Sequence, residues 1–403
     1  MTASVRDRRD RWAGWRQWPL FSVGFRPWFL VMLSFATVAM GLWGLTWLTG
    51  GWADAVTGRW GWRWHAHEVV YGIGVALVAG FLTTAAQNWS GRRAWTPGWL
   101  LVALGLWLGA RLGFLVFGVD PLWPYLFSIA TELIVFFVVA RLIWLTRQWH
   151  NLLFPIALFI VAGMDLLFAV LRNDAALSMF AGWAGLLPIA AMLLFIAQRV
   201  IPPFSANRLG MAPQRTGRAV AVILGGGPLL LLGLLALNPW TPGLSAPLSA
   251  AVAALIALTG GYALWRWWHP AVLGEPMLWL LFLGVLVVLF GLAWQAWLLA
   301  GLPAGGADGP IHALGLGVLL VMPFGMMLRV SAGHTGRPIR FPRVLWPALL
   351  GMLALVLIRL MLPIWPGLLP TWLAVTAFAA MLIYLALLLV IGPWLWRPRA
   401  DGR

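Results

Sequence analysis

Residues 276–300, PMLWLLFLGVLVVLFGLAWQAWLLA, contain no charged side chain. At 1.5 Å per residue, an α-helix of this length exceeds the ~30 Å hydrocarbon core of a bilayer. Apolar residues occur all around such a helix, so none of its faces is suited to water. The stretch predicts a transmembrane helix.

The same pattern fills the rest of the chain, which is 62% hydrophobic and 9% charged. Soluble domains carry roughly a quarter charged residues, so this much apolar surface requires lipid around it. Apolar stretches of about 20 residues, the length needed to cross a bilayer, lie near residues 27–49, 65–87, 97–117, 122–146, 151–171, 176–199, 218–238, 247–268, 276–300, 310–330, 343–363 and 370–392. We predict an all-α integral membrane protein of about twelve helices, with residues 1–403 as one polytopic domain.

The basic residues predict the orientation. In a soluble domain a net charge of +16 would indicate nucleic-acid binding, but here the arginines lie in short links between apolar stretches. Alternate links are rich in arginine, as the positive-inside rule requires of cytoplasmic links. They contain Arg92, Arg93, Arg147, Arg208, Arg215, Arg218, Arg266, Arg337, Arg340, Arg343, Arg397, Arg399 and Arg403, whereas the opposite links hold mainly Arg59, Arg63 and Arg172. Both termini are therefore predicted to be cytoplasmic.

Two further features limit the chemistry. The first apolar stretch is too long for the core of a signal peptide and lacks a small-residue cleavage site, so we expect it to stay as a helix. The chain has no cysteine, which excludes disulfides and thiolate ligands to a metal or a haem. A bound metal must therefore use histidine, carboxylate, methionine or tyrosine.

Ionisable residues inside the apolar stretches are costly and mark candidate functional positions. They are His65, His67, Glu68, Arg111, Glu132, Arg141, Asp165, His312, Arg329 and Arg359. The predicted helices place the first two histidines, Glu68 and His312 at one level near the outer surface. Arg111, Glu132 and Asp165 follow within roughly 10–15 Å of that side, counted by helical rise.

The histidine spacing restricts how these side chains can act. Positions i and i+2 of a helix diverge by about 200°, so His65 and His67 share a metal only if the first lies outside regular helix; otherwise they serve two partners. His334 follows His312 by roughly 33 Å along a helix, so those two cannot share a metal. Glycines 72, 74, 315 and 317 near the histidines suit either close helix packing or a flat porphyrin.

Simpler explanations are open for several of these residues. His65, near tryptophans at a helix end, suits an interfacial anchor, and Arg111 with Glu132 suits a structural ion pair. His150 and His269 lie in arginine-flanked links, where we expect solvated surface. These explanations do not account for three histidines and a glutamate at one depth.

Several motifs resemble those of the NnrS family. They are WHAHE at 64–68, AGFLT at 79–83, NWSGR at 88–92, FRP at 25–27, RVIP at 199–202, EPMLW at 275–279, HAL at 312–314 and RVSAGHTGR at 329–337. They occur in the family's order across nearly the whole chain. The resemblance implies a bacterial inner-membrane protein that contains haem and copper and acts in the nitric oxide response, beside denitrification or nitrosative stress. The same resemblance implies that four histidines bind the cofactors: His65, His67, His312 and His334. Three of them, His65, His67 and His312, are the implied metal ligands.

The chain departs from the family pattern at two positions. Family members commonly carry histidine late in helix five and early in helix nine, where this chain has Ala169 and Phe282. We therefore expect the outer site to persist and the inner one to lack a ligand, with copper the more affected metal because losing a nitrogen donor weakens its site.

Three functions follow from this pattern. The preferred one is a b-type haem protein handling nitric oxide, with His67 and His312 holding haem either at one iron or each at a separate centre. Quinol would be the electron donor of such a protein, which would then be an oxidoreductase. Glu68, Arg111, Glu132, Asp165 and Arg329 would then form a buried polar relay. The alternatives are a secondary transporter without metal, using the same charged residues, and a haem sensor without turnover.

Overall fold

The structure is a computed structural model that describes residues 18–48, 59–302, 308–362 and 369–402. This part of the chain contains helices and no strand. Twelve of the helices are long and apolar enough to cross a membrane. They are α1 Phe25–Leu48, α2 Trp62–Ser90, α3 Pro97–Phe117, α4 Trp123–Leu145, α5 Trp149–Leu171, α6 Ala175–Leu209, α7 Arg218–Leu237, α8 Pro242–Trp267, α9 Pro276–Leu299, α10 Asp308–His334, α11 Arg343–Met361 and α12 Leu369–Trp396. The predicted all-α membrane fold with twelve helices is confirmed.

The largest difference from the predicted boundaries lies at the end of α6. This helix was expected to end at Arg199, where charge begins, yet it continues through Pro202 and Pro203 to Leu209. Gly210 ends it in the left-handed conformation, with φ of 67° and its N–H bonded to the Ala206 carbonyl oxygen. The boundary was misplaced because hydropathy marks the edge of the apolar region, whereas the helix itself continues past that edge.

The helices differ strongly in how far they are covered by their neighbours. In α2 and α10, 78% of the membrane-spanning window is buried, against 28% in α8. The core of the bundle is therefore formed around α2 and α10, the two helices that carry most of the candidate histidines. Backbone approaches backbone where α10 meets α9, because a Cβ on Gly317 would lie 2.8 Å from the Gly284 carbonyl oxygen.

Both central helices contain a π-helical segment, at Glu68–Gly74 in α2 and at Gly317–Val321 in α10. Each segment follows a candidate histidine, and a side chain from another helix donates to one of its carbonyl oxygens. Trp107 Nε1 donates to the Gly72 oxygen at 3.1 Å, and the Tyr384 hydroxyl donates to the Leu319 oxygen at 3.0 Å. Such π segments often occur at functional sites.

The first and last helices meet at one end of the bundle. Arg26, at the start of α1, donates from Nη1 to the carbonyl oxygens of Leu395 and Arg397, at 3.2 and 2.9 Å. The beginning of α1 and the end of α12 therefore lie on the same side. The assignment of that side to the cytoplasm stays a prediction.

Candidate functional site

His65 and His67 point to different surroundings. Residues Trp62–His67 form regular α-helix before the π segment begins, so side chains two positions apart point to nearly opposite sides. His65 lines a cavity between α2 and α10, whereas His67 is fully buried among charged side chains on α2, α3 and α5. Of the two arrangements open from the sequence, the structure has the one with separate partners.

The cavity beside His65 has a volume of about 300 Å³. We name it the histidine cavity; the lining residues that matter most here are Trp43, His65, Asp308, His312, Gly315 and Arg359. The rest of its wall is mainly apolar and aromatic, with leucine, isoleucine and tryptophan from six helices. A mostly apolar cavity with a few converging polar groups is the usual form of a cofactor site.

His312 is held in one orientation. Its Nδ1 lies 2.8 Å from the Asp308 carbonyl oxygen, which can only accept, so Nδ1 carries the proton. Nε2 then has a lone pair and accepts from Arg359 Nη2 at 2.8 Å. The same arginine nitrogen lies 3.4 Å from Asp308 Oδ2. Metal-bound histidines typically donate their second ring N–H to a carbonyl or carboxylate in this way.

His65 is fixed by stacking. Its ring lies on that of Trp43 with centroids 4.3 Å apart and an angle of 11° between the planes. Its Nδ1 is buried, and no described residue forms a hydrogen bond with it. A buried imidazole nitrogen without a partner is more costly on a simple interfacial anchor than on a side chain that meets a ligand.

A second group of polar side chains lies on the other side of α2. We name it the buried charge cluster: His67, Glu68, Arg111, Glu132 and Asp165, all at most 2% exposed. His67 Nδ1 lies 2.8 Å from Glu68 Oε1, and its Nε2 lies 2.8 Å from Asp165 Oδ1. In this structure neither ring nitrogen of His67 presents a free lone pair to a metal.

Arg111 completes the cluster. Its Nε lies 3.3 Å from Glu68 Oε2, so the charges pair without a well-directed hydrogen bond, and its Nη2 donates to Ser128 Oγ at 3.0 Å. The guanidinium occupies space left by Gly72, where a Cβ would lie 2.6 Å from Nη1. The ion pair expected between Arg111 and Glu132 is therefore made chiefly with Glu68.

Aromatic rings enclose His67. Those of Phe114, Tyr125, Phe168 and Tyr71 have centroids 4.3, 5.0, 5.2 and 5.2 Å from the imidazole centroid. This shell keeps water away from the ring, which strengthens its interactions with both carboxylates.

The other predicted site residues lie elsewhere. His334 is at the opposite end of α10 from His312, with its ring 5.4 Å from that of Phe25. The Arg329 guanidinium lies 3.8 Å from the centroid of Phe204 on α6, so it is not part of the buried charge cluster. Phe282 packs on Trp268 with centroids 5.6 Å apart, and Ala169 is buried one turn beyond Asp165. His150 and His269 are exposed, as expected for surface residues.

A comparison with protein families matches residues 19–399 to the family described as "NnrS protein". The chain belongs to the NnrS family. The match covers nearly all of its 403 residues and confirms the resemblance carried by the motifs. A comparison with curated proteins gives no match.

NnrS proteins are generally associated with haem and copper, so the donor sets were tested against both. Among the described residues, no group of three or more histidine, aspartate or glutamate side chains is arranged to hold a metal ion. A haem requires less from the protein: one or two imidazoles, apolar walls and a cation for its carboxylates. The histidine cavity offers His65, His312 and Arg359 for these tasks, and it therefore fits a haem better than a bare copper ion.

Some residues of this NnrS protein were not singled out from the sequence. Trp43, Asp308, Tyr71 and Tyr125 all contact a candidate histidine. The rarity of tyrosine could have pointed to Tyr71 and Tyr125, because the chain has only four tyrosines against 30 tryptophans. A hydroxyl that is rare in an otherwise apolar chain has a specific hydrogen-bond partner when buried.

Proposed function

We propose that this NnrS protein binds a b-type haem in the histidine cavity and acts in the nitric oxide response in the bacterial inner membrane. The observation that carries the proposal is the convergence of His65 from α2 and His312 from α10 on one largely apolar cavity. The family association with haem supports the same conclusion.

His312 would hold the haem through Nε2, because its tautomer already leaves that nitrogen with the lone pair. Arg359 would give up its hydrogen bond to His312 Nε2 and pair with a haem carboxylate instead. The positive charge of Arg359 would then be balanced by that carboxylate and by Asp308. His65 would supply a second imidazole beside the haem. When bound, the haem would supply one-electron redox chemistry and a binding site for nitric oxide. The sequence analysis expected His67 to bind haem. In this proposal His65 takes that place, because both ring nitrogens of His67 face carboxyl groups.

Copper has a secondary place in the proposal. His334, far along α10 from the histidine cavity, is a candidate nitrogen donor for a second centre, and Phe282 supplies no nitrogen there. Electrons for an oxidoreductase role would come from a quinol in the surrounding bilayer.

The test is an optical spectrum of the detergent-purified protein with metal analysis, recorded oxidised, reduced, and reduced with nitric oxide. We expect a reduced b-haem spectrum that shifts with nitric oxide, is lost in His312→Ala and is kept in His334→Ala, the matched control on the same helix. Quinol-dependent consumption of nitric oxide would distinguish an enzyme from a sensor. A colourless protein that incorporates no added haem overturns the proposal.

One observation favours a transporter as the second candidate. Five ionisable side chains are buried together beside a central helix with a π segment, and transporters often hold substrates or protons at such interruptions. This alternative predicts a metal-free protein, so the same spectrum separates the two.

A further inference from the structure

Four carboxyl oxygens of the buried charge cluster have no hydrogen-bond partner among the described residues. They are Oε1 and Oε2 of Glu132, Oδ2 of Asp165, and Oε2 of Glu68, the last of which lies 3.3 Å from Arg111 Nε. The Glu132 and Asp165 side chains are neighbours across α4 and α5 and are at most 1% exposed. A carboxylate buried without any donor is very unfavourable, because nothing replaces the water it has lost.

His67 already occupies one oxygen of each of its two carboxyl neighbours. Its ring nitrogens both lie 2.8 Å from carboxyl oxygens, one from Glu68 and one from Asp165. The Arg111 guanidinium likewise contacts Glu68 and Ser128. Neither side chain supplies a hydrogen bond to Glu132.

One of the two neighbouring carboxyls must then be neutral. Two ionised carboxyls side by side repel each other, and neither can donate a hydrogen bond to the other. Asp165 already contacts His67 through Oδ1, whereas neither oxygen of Glu132 has a partner among the described residues. A proton on Glu132 removes the repulsion and also supplies a donor for the unmatched Oδ2 of Asp165.

We propose that Glu132 and Asp165 form a proton-binding site in which Glu132 carries the proton and donates it to the Asp165 carboxylate. The groups facing this pair are Arg111, His67 and Glu68, with the hydroxyls of Tyr71 and Tyr125 nearby. The tyrosine hydroxyls are bonded to backbone carbonyl oxygens, of Ala181 and Val119 respectively, so they do not satisfy the carboxyls.

This site would hold a proton inside the bundle, near the histidine cavity. His65 of the cavity and His67 of the buried charge cluster are two residues apart on α2, so a change of charge in the cavity would alter the electrostatic potential at the cluster. The Tyr125 hydroxyl bonds to Val119 in the link between α3 and α4, which brings the cluster close to one surface of the bundle. The proton site does not require haem in the cavity.

Infrared spectroscopy of the full-length protein in lipid tests the proposal. We expect the carbonyl band of a protonated carboxylic acid at neutral pH. The chain has three glutamates, Glu68, Glu132 and Glu275, so labelling glutamate carboxyls with ¹³C should shift the band. Glu132→Gln should remove it, and Glu275→Gln, which alters a partly exposed glutamate paired with Arg208 at 2.7 Å, should keep it.

Stability against pH gives a second measurement. Because the folded protein holds the Glu132 proton more tightly than the unfolded chain, wild-type stability relative to Glu132→Gln should fall as the pH rises from acidic to alkaline. A missing carbonyl band, a band that ¹³C-glutamate leaves in place, or a stability difference that is flat with pH overturns the proposal. Should Glu132→Gln fail to fold, Glu132→Asp keeps a carboxyl at this position, and its band should no longer shift with ¹³C-glutamate.

Discussion

His67 Nε2 lies 2.8 Å from Asp165 Oδ1, although the two residues are 98 positions apart in the chain. The contact joins α2 to α5 inside a shell of aromatic rings, where neither group reaches water. In a low-dielectric interior, such a pair is costly to form but far more costly to break on one side. The contact therefore makes the position of α2 depend on α5, and with it the position of His65 at the cavity.

Asp165→Asn should destabilise the protein by about 3–5 kcal/mol, because it removes one of the two carboxyl groups that the buried His67 ring contacts. Thermal unfolding in detergent measures the effect. Asp174→Asn is the matched control: Asp174 caps the start of α6 by accepting from the Leu177 N–H, and asparagine caps a helix equally well. Equal small losses in both variants would show that the His67–Asp165 contact contributes little.

The sequence was sufficient to predict the helices and the depth of the polar residues. Apolar length defines a membrane span, and helical rise then places Glu68, Arg111, Glu132 and Asp165 at similar levels. The direction in which each polar side chain points around its helix axis could not be predicted in the same way. A helix that is apolar on all sides has no hydropathy pattern that distinguishes one face from another. For this reason the sequence did not show that Asp165 would meet His67.

The π segments and Arg329 show the same limit. A π segment is one extra residue accommodated in the backbone, and neither Glu68–Gly74 nor Gly317–Val321 has a composition that distinguishes it from ordinary helix. Arg329 was grouped with the relay by its chemistry, although it lies 17 positions beyond His312 on α10. That is roughly 25 Å by helical rise, which agrees with its position against Phe204 on α6.

The two glycines after His312 should respond differently to substitution. A Cβ on Gly315 would meet only Leu186, at 3.8 Å, whereas one on Gly317 would lie 2.8–2.9 Å from backbone atoms of Gly284 and Val288. Gly315→Leu should fill the histidine cavity and abolish haem binding in a folded protein. Gly317→Ala should instead destabilise the bundle by about 1–3 kcal/mol, because α9 and α10 must separate.

Haem content per protein and thermal unfolding separate the two effects of these glycine variants. Gly315→Ala serves as a control that keeps the cavity largely open. Full haem content in Gly315→Leu would show that the cofactor does not occupy this cavity.

Tyr384→Phe should destabilise the protein by about 1 kcal/mol, because it removes the hydroxyl that donates to the Leu319 oxygen in the π segment of α10. The ring keeps its shape, so the hydrogen bond alone is lost. Tyr262→Phe on α8 is the control, since Tyr262 is 49% exposed and a change there should have almost no effect. Thermal unfolding of both variants in the same detergent is the measurement, and indistinguishable midpoints would contradict the role of Tyr384.

The orientation in the membrane can be tested with single cysteines, because the chain has none of its own. Asn173 is exposed in the link between α5 and α6, and Arg215 is exposed in the link between α6 and α7. Since α6 separates these links, they should lie on opposite sides of the membrane, and the arginine-rich one should be cytoplasmic.

In spheroplasts of a bacterial host that expresses the protein, an impermeant maleimide should therefore label Asn173→Cys at once and Arg215→Cys only after permeabilisation. The unsubstituted protein gives the background. The reverse order would place both termini outside and the His65 end of α2 towards the cytoplasm. Because the start of α1 and the end of α12 are joined through Arg26, one pair of cysteines is enough to orient both ends of the bundle.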